Sequence, residues 1–99
     1  MKTLIQLETI LKKNKKEIFQ KYQITELGIF GSYVRGEQTV NSDIDILIDY
    51  DRKGKFTLFD LISLQTSLSE LLSTKVDIAL KKKLKPVMGY YILREIIYL

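Results

Sequence analysis

The chain has 99 residues, a formal net charge of +4, and neither cysteine nor histidine. This length supports one modest core, so we expect residues 1–99 to fold as a single domain. The missing residue types exclude disulfides, thiolate nucleophiles and Ser-His-Asp triads within this chain, and any metal must be held by oxygen ligands, which favours Mg²⁺.

The chain opens with a predicted helix, which is followed by a short predicted strand. Apolar residues recur at helical spacing between Thr3 and about Tyr22, and Thr3 with Gln6 fits a capping box at the helix start. After this helix, the apolar run 27–30 is typical of a strand that stops at Gly31.

A turn, a short helix and a second strand come next. Ser32 can cap a helix that runs through Arg35 and ends at Gly36, a residue suited to a left-handed stop. Residues 43–49 alternate strictly: three aspartates and Leu47 share one face, and the other face carries Ile44, Ile46 and Ile48. This period of two predicts a strand whose β-branched face packs on a core.

The range 57–72 predicts the longest helix of the second half. Its apolar residues recur at helical spacing, and Thr57 with Asp60 is placed like a second capping box. These apolar residues are Leu58, Leu61, Ile62, Leu68, Leu71 and Leu72.

The remaining segments predict two further strands and one helix. Residues 75–80 alternate like a strand, and Pro86 suits the first turn of a helix that runs toward Arg94. Residues 96–99 could extend this helix or form an edge strand, and we favour the strand. The whole order predicts an α/β (α+β) fold, a small mixed sheet flanked by helices.

Three aspartates carry the candidate chemistry. On one strand, Asp43 and Asp45 project from the same face with Cα atoms roughly 6.5–7 Å apart. Neighbouring carboxylates repel, and a divalent ion such as Mg²⁺ relieves this repulsion when phosphates and water supply the other oxygens. Asp77 falls on the same face if its strand lies beside theirs in register, where it could orient or deprotonate an attacking hydroxyl.

The turn supplies the other half of this site. Gly31 lets a phosphate approach the backbone, and Ser32 offers a hydroxyl at the start of a helix. Arg35 could bind phosphate or hold the loop to a carboxylate, and the sequence leaves both roles open.

The spacing of these residues carries a family resemblance. Gly31-Ser32-x-x-Arg35-Gly36 with Ser42-Asp43-x-Asp45 resembles the signature of the DNA-polymerase-β-like nucleotidyltransferase superfamily. The short length, Val76-Asp77-Ile78 and Ile92-Leu93-Arg94-Glu95 resemble its minimal nucleotidyltransferase branch, the MNT or MntA-like proteins. Val34, where the family often has alanine, is a small departure.

The resemblance implies a fold, a site and a reaction. The fold is that of polymerase-β-like nucleotidyltransferases, with Mg²⁺ held by Asp43, Asp45 and Asp77. Nucleotide binding falls to the turn and its neighbours: Gly31, Ser32, Arg35 and Ser42. The implied protein is an antitoxin that transfers AMP from ATP to a tyrosine of a HEPN-domain RNase toxin.

Other functions remain open at this point. The acids could be a remnant in an antitoxin that acts by binding alone, or the acceptor could be a small molecule, although so short a chain has little surface for an acceptor pocket. Two small lysine clusters, 12–16 and 81–85, favour solvated faces over nucleic-acid binding.

The aromatic residues near the C-terminus have two interpretations. Tyr90, Tyr91 and Tyr98 could pack on the core or mark a partner surface. No apolar run approaches the roughly 20 residues of a membrane span, and no signal-peptide core follows Met1. We therefore expect a cytoplasmic protein without membrane contact.

Overall fold

Helices and strands alternate along the computed structural model, which describes residues 1–99. The first half contains α1 (Leu4–Tyr22), β1 (Ile24–Phe30), α2 (Ser32–Arg35) and β2 (Ile44–Tyr50). The second half contains α3 (Leu58–Leu72), β3 (Val76–Leu80), a 3-10 turn (Lys81–Lys83), α4 (Pro86–Glu95) and β4 (Ile97–Tyr98). The edge strand expected at the C-terminus is confirmed.

The four strands form one mixed sheet in the order β3-β2-β1-β4. β1 pairs antiparallel with both β2 and β4, whereas β2 and β3 are parallel. Parallel neighbours need a crossover connection, and α3 provides it. The predicted fold class, a small mixed sheet flanked by helices, is confirmed.

The core lies between one face of this sheet and the two long helices. The isoleucine face of β2 is fully buried, as its alternation predicts. It packs in one cluster with leucines of α1 and α3, namely Leu7, Leu11, Leu64, Leu68 and Leu72. Each such side chain contributes roughly 1.5–3 kcal/mol when fully buried, so this layer is the main source of stability.

Both predicted capping boxes are present. The Thr3 hydroxyl accepts from the Gln6 N–H, and the Thr57 hydroxyl accepts from the Asp60 N–H, while the side chain of each partner accepts from the N–H of the cap residue. The two long helices therefore begin where the sequence predicts.

Some predicted boundaries and faces are wrong. β1 begins at Ile24, three residues before the predicted start at Leu27. The two polar residues after Ile24 interrupt the apolar run, and the pairing with β2 shifts register between Ile24 and Glu26. In α3, Leu58 and Ile62 are exposed, whereas Leu64 is fully buried. The first turns of α3 thus expose most of their apolar residues, and the helix joins the core from Leu64 onward.

α4 lies loosely on the opposite face of the sheet. It buries only Gly89 and Ile92, and it exposes most of its apolar residues: Val87, Met88, Tyr90, Tyr91 and Leu93. Both tyrosines on the helix therefore lie outside the core, and Tyr98 on β4 is exposed as well. No helix combines the length and the hydropathy that a bilayer crossing requires.

Candidate active site

The sheet brings two of the three predicted acids side by side. Asp45 of β2 and Asp77 of β3 are paired in the parallel register. Adjacent strands lie about 4.8 Å apart, and paired residues project from the same face. Asp43 immediately precedes β2, two residues before Asp45, and therefore shares this face at the strand entrance. The condition set for Asp77, a neighbouring strand in register, is met.

Asp45 is the electrostatic centre of this group. Burial raises its pKa above the usual aspartate value, and the negative charges of Asp77 and Asp43 raise it further, against the opposing charge of Arg35. Three carboxylates, those of Asp43, Asp45 and Asp77, thus place like charges near one another on the acid face of β2.

The donor set fits a hard divalent ion, because carboxylate oxygens are the ligands that Mg²⁺ takes from proteins. The side chains do not enclose such an ion on their own: no three acidic side chains stand close enough to hold one together. Asp43 lies at the strand entrance with its carboxylate 3.7 Å from the exposed Lys75 ammonium. Substrate phosphates and water would complete the coordination.

Gly31 places the turn directly against Asp45. Phe30, the last residue of β1, pairs with Asp45, so the chain turns immediately beside that carboxylate. Gly31 adopts φ 82° and ψ −154°, a backbone conformation essentially restricted to glycine. A Cβ at this position would lie 2.1 Å from Asp45 Oδ2. Only glycine allows the turn and the carboxylate to occupy these positions together.

The prediction that Ser32 caps α2 is wrong. Gly31 is the N-cap, and no side chain caps this helix. Gly31 makes the turn with its own φ of 82° and ψ of −154°, so helical backbone geometry begins at Ser32. Gly36 ends the helix in the left-handed conformation, as predicted.

Ser42 is engaged in the loop before β2. Its hydroxyl accepts from the Thr39 N–H at 2.9 Å, which closes the turn that leads into Asp43. The structure thus shows Ser42 shaping the entrance to the acid strand, and its binding of nucleotide stays a prediction.

Arg35 contacts two carboxylates. Its Nη1 donates to both oxygens of Glu95 at 3.0 Å, and its Nε donates to Glu37 at 3.1 Å. The Gly31 N–H also donates to Glu95, at 3.0 Å. Of the two roles left open for Arg35, the structure shows the one that holds the loop to a carboxylate.

Glu95 is the site residue that sequence reasoning missed. It lies 64 residues from the glycine whose N–H it accepts, and nothing in the local pattern of α4 marks it. Its only signal was its place in the C-terminal segment that carries the family resemblance.

A cleft of about 310 Å³ opens between the turn and α4. It is lined by Phe30, Gly31, Arg35, Asp45, Met88, Tyr91, Ile92 and Glu95. A larger cleft of about 480 Å³ lies beside the C-terminal end of α3, but it contains none of the predicted site residues. The smaller cleft is therefore the candidate site, because it joins the glycine turn, an acid and an arginine.

The second lysine cluster has a structural explanation. Lys81 donates to Glu26 at 2.8 Å, and Lys82 binds the Asp49 carboxylate and the Tyr50 carbonyl. These bonds tie the 3-10 turn to the sheet, so this part of the cluster is not a free basic surface.

Comparison with known proteins points to one family. A family model described as a nucleotidyltransferase domain matches residues 11–99. The protein adenylyltransferase MntA of Thermococcus cleftensis is 41% identical over 98 residues, which are 99% of this chain and 97% of that protein. MJ0126 of Methanocaldococcus jannaschii, assigned as a protein adenylyltransferase, is 46% identical over 100 residues, the full length of both chains.

Solved structures agree with this family. A minimal nucleotidyltransferase matches with a TM-score of 0.77 and 32% identity, over 94% of this chain and 95% of that one. A chain of a toxin-antitoxin complex with AMP-PNP matches with a TM-score of 0.71 and 20% identity, over 88% of this chain and 70% of that one. A chain of the complex of tri-AMPylated HEPN toxin with MNT antitoxin from Shewanella oneidensis matches with a TM-score of 0.67 and 16% identity, over 93% of this chain and 70% of that one. The last two likenesses support the fold alone.

Proposed function

The chain belongs to the nucleotidyltransferase domain family, and on that premise we propose that it transfers AMP from ATP to a tyrosine of a HEPN-domain toxin. The reaction depends on Mg²⁺, and the protein acts as an antitoxin. The observation that carries this proposal is the Asp45–Asp77 pair in register beside a turn that only glycine can form.

In this reaction the acceptor hydroxyl attacks the α-phosphorus of ATP. The new bond joins the acceptor oxygen to that phosphorus, and the bond to the bridging oxygen breaks, so pyrophosphate leaves with the electron pair. Mg²⁺, when bound by Asp43 and Asp45, supplies charge neutralisation at the phosphates. Asp77 orients the hydroxyl and accepts its proton, since the chain has no histidine to do so.

The nucleotide has a defined place in this proposal. Its phosphates lie at the Gly31-Ser32 turn, which stands directly beside Asp45. Arg35 adds a positive charge at the same turn, and Ser42 borders the entrance to the acid strand. The similarity to MntA of Thermococcus cleftensis, a protein adenylyltransferase, supports AMP as the group transferred.

The exposed face of α4 supports a protein acceptor. Tyr91 and Met88 line the candidate cleft, and Val87, Tyr90 and Leu93 continue the apolar surface away from it. Apolar and aromatic side chains concentrated on one exposed helix are typical of partner interfaces. A toxin seated on α4 would present its tyrosine beside Asp45.

The test is label transfer from α-³²P-ATP to the co-purified partner. Asp43→Asn and Asp45→Asn should each abolish transfer, because each removes a carboxylate of the proposed ion site. Glu17→Gln, which removes an exposed carboxylate of α1, is the matched control and should transfer normally. Transfer that survives either aspartate substitution would refute the proposed catalytic role.

A binding-only antitoxin is the second candidate, and the apolar surface of α4 favours it as well. Under this function Asp43→Asn and Asp45→Asn still neutralise the toxin in cells. A double substitution, Tyr90→Ser with Tyr91→Ser, would instead release the partner, while Val40→Ser, at an exposed loop residue, would not. If the aspartate variants no longer neutralise the toxin, the result supports the enzyme and contradicts the binding-only antitoxin.

A further inference from the structure

The Glu95 carboxylate accepts hydrogen bonds from two donors of the turn, the Gly31 N–H and the Arg35 guanidinium. Oε1 accepts from the Gly31 N–H and from Arg35 Nη1, each at 3.0 Å, and Oε2 accepts from the same arginine nitrogen at 3.0 Å. A backbone N–H beside a guanidinium binds phosphate oxygens by the same geometry as carboxylate oxygens. Glu95 therefore lies where a phosphate oxygen would bind.

Glu95 and a triphosphate cannot share these donors. Both are anions, and both would accept from the same two groups, the Gly31 N–H and Arg35 Nη1. Phosphates that approach Gly31 would meet the Glu95 carboxylate at contact distance, where like charges repel. One of the two anions has to leave.

The element that carries Glu95 is well suited to move. Glu95 is the last residue of α4, and that helix buries only one large apolar side chain, Ile92. The following β4 has two residues. Elements with so few buried contacts open at low free-energy cost.

We propose that Glu95 is a latch: it holds Gly31 and Arg35 until nucleotide phosphates displace it, and its release frees the C-terminal end of α4. The latch rests on the proposed nucleotide site at this turn. When the competent state is only a fraction of the population, the apparent affinity falls by that fraction. The latch thus sets how much ATP the protein needs.

The test compares ATP binding by calorimetry, with Mg²⁺ present, in the whole chain and its variants. Glu95→Gln and Glu95→Ala should each lower the apparent Kd roughly threefold to tenfold, since the competing charge is gone. Glu37→Gln is the matched control: Glu37 also pairs with Arg35, at 3.1 Å, but it does not contact Gly31. Its Kd should stay within about twofold of the unsubstituted protein.

A second measurement needs no substitution. Saturating ATP should increase deuterium uptake in residues 92–99 of the unsubstituted chain, because the released end of α4 exchanges faster. Unchanged or reduced uptake, or a Kd that is equal or higher in the folded Glu95 variants, overturns the latch. If ATP binds none of the proteins, the proposed function itself is wrong.

Discussion

Gly31→Ala is the sharpest perturbation that the structure offers. The added methyl group meets two obstacles. The backbone, at φ 82° and ψ −154°, lies in a region that side chains rarely adopt. The Cβ itself would lie 2.1 Å from Asp45 Oδ2, 2.9 Å from its Cγ and 3.1 Å from its Cβ.

Both obstacles have a magnitude. Strained backbone of this kind costs about 1–3 kcal/mol, and for a domain of this size each kcal/mol lowers Tm by roughly 4–8 °C. To reach ordinary contact at 3.4 Å, Asp45 Oδ2 has to move by about 1.3 Å or more, and a misplacement of about 1 Å in a catalytic group already costs about 100-fold in rate. We therefore expect Gly31→Ala to lower both Tm and the rate of adenylyl transfer.

The control is Gly36→Ala. Gly36 also has a positive φ, 71°, but nothing lies within 4 Å of its hypothetical Cβ. It should lose stability through strain, about 1–2 kcal/mol, and keep its transfer rate. Thermal unfolding by circular dichroism and single-turnover transfer of labelled AMP measure the two effects. Equal rates for the two alanine variants would refute the argument that Asp45 needs the space above Gly31.

Three further predictions concern stability. The pKa of Asp45 is raised, so the folded state binds the Asp45 proton more tightly than the unfolded chain does. The free energy of unfolding therefore falls as pH rises through the titration of Asp45. Asp45→Asn removes this charge and should raise Tm at pH 7 more than at pH 4. For Asp49, burial alone raises the pKa, but the hydrogen bonds from Lys82 and the Tyr50 backbone, together with the charges of Lys82 and Lys81, outweigh it, so the pKa is lowered. The stabilisation from the ionised Asp49 is present above pH 3.8, the ordinary aspartate pKa, and is lost as pH falls below it. In Lys82→Met the free energy of unfolding should therefore decrease less on acidification than in the unsubstituted chain. Leu64→Ala, at a fully buried residue of α3, should cost roughly 2–5 kcal/mol in urea unfolding.

Local pattern predicted much of this fold. Alternation identified β2 and β3, helical spacing identified α1 and α3, and Thr3 and Thr57 marked the starts of both helices. These signals work because they depend on neighbours a few residues apart. The start of β1 and the exposed face of α3 were predicted wrongly, because both depend on contacts with residues that are distant in the sequence.

The site divides in the same way. The residue types and spacing of Gly31, Asp43 and Asp45 indicate phosphate and metal chemistry, because all three residues lie within one short stretch of the chain. The partner of Arg35 could not be predicted, since its choice between phosphate and carboxylate depends on where Glu95 lies. A contact across 60 residues leaves no local periodicity to detect.

The sequence by itself determined which groups could act: three carboxylates, a glycine turn, one arginine, and no histidine or cysteine to compete with them. Only the tertiary structure decided their arrangement. The parallel register of β2 and β3 sets Asp77 beside Asp45, and the return of α4 across the sheet sets Glu95 on the Gly31 N–H. Register and helix docking are chosen by the packing of the whole core, which no short stretch of sequence contains.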